Sequence, residues 1–87
     1  MPIPALGQIV HYRLAEYDVA SIQALPTAHR NPAAVGDVCA AVIVRVWTTP
    51  GPGMVNLQVL IDGQATYWAP SRYEGDEDGT WSWPPRA

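Results

Sequence analysis

At 87 residues and 9.5 kDa the chain has room for one small domain, since chains this short bury only about 60–65% of the surface their unfolded forms expose. Apolar residues make up 48% of it and charged residues 15%, which excludes wholesale disorder and implies a charge-poor surface. The five basic residues are all arginine, and against eight acidic ones they give a net charge of −3, unlike the basic stripe that duplex nucleic acid selects.

No run approaches the about 20 apolar residues of a membrane helix, and Met1-Pro2-Ile3-Pro4 lacks the basic start and apolar stretch of a signal peptide, so the expected setting is cytoplasmic. In residues 8–14, Val10, Tyr12 and Leu14 alternate with Ile9, His11 and Arg13, the period of a strand. From 15 to 25 the spacing of Ala15, Val19, Ile22 and Leu25 changes to that of an amphipathic helix. Glu16 and Asp18 lie in its first turn, where the dipole favours anions, and Pro26 stops it. Residues 26–36 have neither period and read as a loop. Residues 38–47 are rich in valine and alanine, with Arg45 as the single charge, and read as a central strand buried on both faces for much of its length. Pro50, Gly51, Pro52 and Gly53 require a turn. Val55, Leu57, Val59 and Ile61 alternate up to Asp62-Gly63, a strong hairpin signal, so residues 64–68 should return antiparallel. Pro70 ends or bends that strand, an acidic loop runs from 74 to 79, and residues 80–83 are strongly β-prone.

This inventory predicts a mainly β domain over residues 1–87. It is a small five-stranded, partly open SH3-like or OB-like barrel with one short helix after the first strand. Its secure part is the central meander of residues 37–68, and the pairing of the first and last strands is left open.

Candidate binding residues come from the aromatics and arginines. Trp81 and Trp83 share a strand face, so both are core or both are presented to a partner. Neighbours Tyr67 and Trp68 must point to opposite faces. Around the Pro70 bend, Trp68, Ser71, Arg72 and Tyr73 could hold a nucleotide, base on the ring and phosphate on the guanidinium. Arg45, inside an apolar strand, must reach solvent, a carboxylate or a ligand anion. Cys39 has no partner for a disulfide and sits in an apolar run, where a small buried hydrophobe is the usual identity. Asp76, Glu77 and Asp78 resemble the start of a calcium loop, but the position of the closing glutamate is Ala87. His11 and His29 have no neighbour at metal-ligand spacing, and neither Ser71 nor Ser82 forms a recognised nucleophile motif with them. No catalytic residue, metal or cofactor is therefore expected.

Residues 7–14 (GQIVHYRL), 42–47 (VIVRVW), 55–63 (VNLQVLIDG) and 79–84 (GTWSWP) resemble a group of small uncharacterised accessory proteins encoded by bacteriophages and prophages of actinobacteria. The resemblance spans most of the chain and implies no functional residues. It implies a context, an accessory protein that binds something of the host. The leading expectation is a non-enzymatic binding protein that blocks or sequesters a host factor, most naturally a host protein, from within the host cell. The alternatives are a sponge for a small nucleotide-like immune signal, held in a homo-oligomer, and a virion component such as a capsid decoration or connector.

Overall fold

The alternation of residues 8–14 becomes a strand because Val10 and Tyr12 are fully buried while Ile9 and Arg13 face solvent. The computed structural model describes residues 3–25, 29–49 and 53–85. Within them the order is β1 (Ile9–Arg13), α1 (Glu16–Gln23), β2 (Val38–Val46), β3 (Val55–Leu60), β4 (Thr66–Arg72) and β5 (Trp81–Ser82). The strands form one antiparallel sheet in the order β4-β3-β2-β1-β5. The sheet is open, with β4 and β5 at its edges. The pairing the sequence left open is that of β5 with β1, through Tyr12 with Trp81 and His11 with Ser82.

One face of the sheet carries the core. Val10, Tyr12, Ala41, Ile43, Val55, Leu57, Val59, Ala69 and Trp81 are fully buried there, joined by Ile22 from α1; each buried valine, leucine or isoleucine contributes about 1.5–3 kcal/mol. β2 differs from expectation. Only Ala41 and Ile43 are buried, while Val38, Val44 and Arg45 face solvent, because α1 is short and covers the inner face alone. The strand after the hairpin also runs on through Pro70 to Arg72, which an edge strand tolerates because it has a side without ladder bonds. The loop expected at 26–36 and the turn at 50–53 lie partly outside the described residues. At the hairpin, Asp62 has φ 54°, and a Cβ on Gly63 would collide with the backbone of His29 and Arg30, so the close approach of that loop requires glycine.

Two irregularities bend the sheet on either side of Asn56. Between β2 and β3 the register shifts at Val44, and between β3 and β4 it shifts across Pro70 and Ser71, where Ser71 has φ 58°. In both cases two residues of the neighbouring strand oppose Asn56 alone, the arrangement of a β-bulge. The Asn56 side-chain oxygen fills the gap, accepting from Ser71 N at 2.8 Å and from Trp47 Nε1 at 2.9 Å.

Candidate functional site

The bulge in β4 decides which of the candidate residues meet. Trp68 and Arg72 are four apart and would share a face in a regular strand. The extra residue flips Arg72 inward, where it pairs with Val55 on the core side, while Trp68 stays outside opposite Gln58. Trp68 is 56% exposed and its neighbour Tyr67 only 8%, as adjacent strand residues must be.

The inward arginine enters a closed cluster. Asp18, fully buried at the first turn of α1, accepts from Tyr12 Oη at 2.5 Å, Tyr67 Oη at 2.6 Å, Ala15 N at 2.8 Å and Arg72 Nη2 at 2.9 Å. These four donors use the capacity of both carboxylate oxygens. Arg72 donates its Nε to Tyr12 Oη at 2.7 Å and Nη1 to the Pro70 carbonyl, so all three of its nitrogens are engaged. Its guanidinium also lies 5.1 Å from the Tyr17 ring centre. Burial by itself would raise the Asp18 pKa, but the bonds from Tyr12, Tyr67, Ala15 and Arg72 outweigh it and hold the carboxyl below its usual range. Burial, reinforced by the bond to Asp18, pushes Tyr67 up to about 12 and Tyr12 further still. Burial opposes the Arg72 charge, yet its bonds to Asp18 and Tyr12 raise its pKa. Such a cluster joins helix to sheet. Four donors on Asp18 and the inward turn of the guanidinium commit both groups to this cluster.

The expected nucleotide-holding set of Trp68, Ser71, Arg72 and Tyr73 is accordingly split. Trp68 and Ser71 lie outside, Arg72 inside, and Tyr73 is exposed beyond the end of the strand. Trp81 and Trp83 do share a face, as period two requires, and it is the inner one. Trp81 is fully buried with Nε1 bonded to the Gly53 carbonyl at 2.9 Å, and Trp83 packs edge-on against it at 5.3 Å. Cys39 is half-buried on the core side, where burial raises its thiol pKa.

Outside, the sheet assembles a different set. Arg45 pairs with Asn56 and lies 4.1 Å above the Trp47 ring, a cation–π contact at the surface. Trp47 is pinned by its bond to Asn56, and Ser71 is bonded to the same oxygen. Along β3, Gln58 is the next outward residue after Asn56, and Val42 and Trp68 flank it. Val44 and Leu60 are exposed at either end of the patch. Of the residues singled out in the sequence, Arg45, Trp68 and Ser71 thus fall on one surface of β2, β3 and β4. Sequence reading missed Trp47 and Asn56 as members; the signal present was an asparagine between two core positions, Val55 and Leu57.

Among the described residues no cluster of His, Cys, Asp and Glu could hold a metal ion, and no helix is long and apolar enough to cross a membrane. A depression lined by His11, Arg13, Thr80 and Ser82 has a volume of about 130 Å³, below the about 300 Å³ at which small-molecule sites begin. Arg13 at its rim is held by Asp78 at 3.0 Å and by the Asp76 carbonyl. The chain matches no protein-family model, no curated protein and no solved structure.

Proposed function

We propose that this protein is a non-enzymatic binding module that docks another protein on the outer surface of β2, β3 and β4. The observation that carries the reading is the exposed Trp68 on the same outer sheet surface as the Arg45–Trp47 pair, with Val44 and Leu60 uncovered. Tryptophan and arginine dominate the energetics of protein interfaces, and a rigid, pre-positioned aromatic loses little entropy on binding. In this reading the buried cluster around Asp18 serves stability and the outer surface serves docking. The setting, a host protein blocked inside an infected cell, rests on the resemblance described for the sequence.

The fold reading that goes with this is a small, partly open barrel of SH3-like or OB-like type. Supporting it are the two bulges around Asn56 and a core in which, among the described residues, one short helix is the only other layer. The segment after β4 also bonds to β5 through Trp81 N to Tyr73 O and Gly75 N to Trp81 O.

The test is affinity capture from actinobacterial lysate with the tagged chain, Trp68→Glu, Arg45→Ala and, as a control on the exposed side of α1, Gln23→Glu. Docking on this surface predicts one or more polypeptides retained by the parent and the control and lost with the other two. Retention unaffected by Trp68→Glu and Arg45→Ala would overturn it.

A further inference from the structure

The chain treats its two sheet edges differently. β5 is two residues long, and its free side is taken by the segment following β4, with Glu74 and Trp81 forming a parallel bridge. β4 is seven residues long. Apart from the bonds of Ser71 N to Asn56 and Pro70 O to Arg72, its backbone forms no hydrogen bond outside the ladder to β3 among the described residues. Every second residue of such a strand turns its N–H and C=O away from the sheet, a template for another strand.

Edges of this kind are ordinarily blunted by charge, proline or a bulge. Pro70 and Ser71 blunt the far end of β4 and leave Thr66 to Ala69 unguarded. No charged residue occurs between Asp62 and Arg72 in the sequence, although the chain as a whole carries a net charge of −3. Thr66, Tyr67 and Trp68 are all strong strand formers. The uncharged edge offers no counter-charge to a charged peptide, whereas a second copy brings an equally uncharged strand and meets no like charge along the joint.

We infer that β4 of one chain pairs antiparallel with β4 of a second copy, about a two-fold axis perpendicular to the sheet and close to Trp68. That axis leaves both outer surfaces on the same side and brings the two Trp68 rings together across the joint. Size gives the pairing a purpose. Three strands about 4.8 Å apart and about five residues long at 3.3 Å each span only about 240 Å² in projection, against the about 800 Å² per partner of a standard interface. Joining two chains doubles the surface without closing it. The use made of the joined surface rests on the docking function proposed above; the pairing itself does not.

Sedimentation equilibrium of the full chain, from about 1 µM to about 1 mM, tests the pairing at the weak affinities expected of so short a joint. The expected result is a mass rising from 9.5 kDa to twice that value. Trp68→Lys, which brings two lysines together at the axis, and Thr66→Lys, which puts a charge on the uncharged edge, should each raise the dimer dissociation constant by about tenfold or more, with the fold checked by circular dichroism. A chain that stays monomeric throughout overturns the inference, as does a dimer indifferent to both substitutions. Lysate capture that still depends on Arg45 in a strictly monomeric chain would remove the self-pairing and leave the docking function standing, so the two failures are separable.

Discussion

Two arginines lie beside aromatic rings in this protein, and they do opposite things. Arg72 is 14% exposed in its side chain, with Asp18 and the hydroxyls of Tyr12 and Tyr67 around it. Arg45 is exposed, and its contact is the face of Trp47. In the sequence both are candidates for an anion, Arg72 with Trp68, Ser71 and Tyr73 around the Pro70 bend and Arg45 inside an apolar strand. The structure separates them: four of the five N–H donors of Arg72 are committed to Asp18, Tyr12, Tyr67 and the Pro70 carbonyl inside the clasp. Counting free donors, and not the proximity of arginine to tryptophan, separates a binding surface from a structural clasp.

The comparison can be broken most directly at its origin. Arg72→Ala removes the inward guanidinium and leaves Asp18 buried without its cation. Urea denaturation should register a loss of about 3–5 kcal/mol, the range for orphaning one member of a buried pair. Asp18→Ala orphans the other member and should cost about the same. The acid limb gives a second view of the clasp. The Asp18 carboxyl is depressed in the folded state, so its stabilisation is present above the unfolded value of about 4. It is lost as pH falls further, through the folded pKa. At the other end Tyr67 is pushed up to about 12, so its contribution is complete below about pH 10 and is lost as pH rises through about 12. A pH series of urea midpoints checks both limbs, and Asp18→Ala should flatten the acid one.

The tryptophans sharpen the same contrast. Trp81→Ala, in the core, should destabilise by about 3–5 kcal/mol, whereas Trp68→Ala, outside, should stay within about 1 kcal/mol while abolishing partner capture. Between them lies Asn56→Ala, which deprives Trp47 Nε1 and Ser71 N of their acceptor. It should cost about 1–3 kcal/mol and free the Trp47 ring, visible as a red shift of its fluorescence. The smallest effect belongs to Arg45→Ala, about 0.5–1 kcal/mol for a surface cation–π pair, read in stability by denaturation and in function by weakened capture.

Much of this was legible in the residues. The helix expected at 15–25 occupies Glu16–Gln23, and the hairpin at Asp62-Gly63 joins β3 to β4. The opposite faces of Tyr67 and Trp68 and the common face of Trp81 and Trp83 follow from period two. What was not legible traces to Asn56. Reading Trp68, Ser71, Arg72 and Tyr73 as one constellation assumed an uninterrupted bend at Pro70. The bulge there forms because an amide side chain on the neighbouring strand is placed to accept the Ser71 N–H, a contact between residues fifteen apart. The burial of β2 on both faces was overstated for a related reason. A run of valines reports apolar character, but whether a second layer exists to cover its outer side depends on the whole chain, and the described residues contain a single short helix.

By itself, then, the sequence determined the number and kind of elements, the antiparallel return of β4 and the alternation of inside and outside along each strand, because spacing and turn chemistry act between near neighbours. Only the tertiary structure decided that Arg72 locks onto Asp18 while Arg45 stays free, that β5 pairs with β1, and that β4 keeps an uncovered edge. Those outcomes depend on register between strands, where one extra residue in a bulge turns every later side chain to the other face.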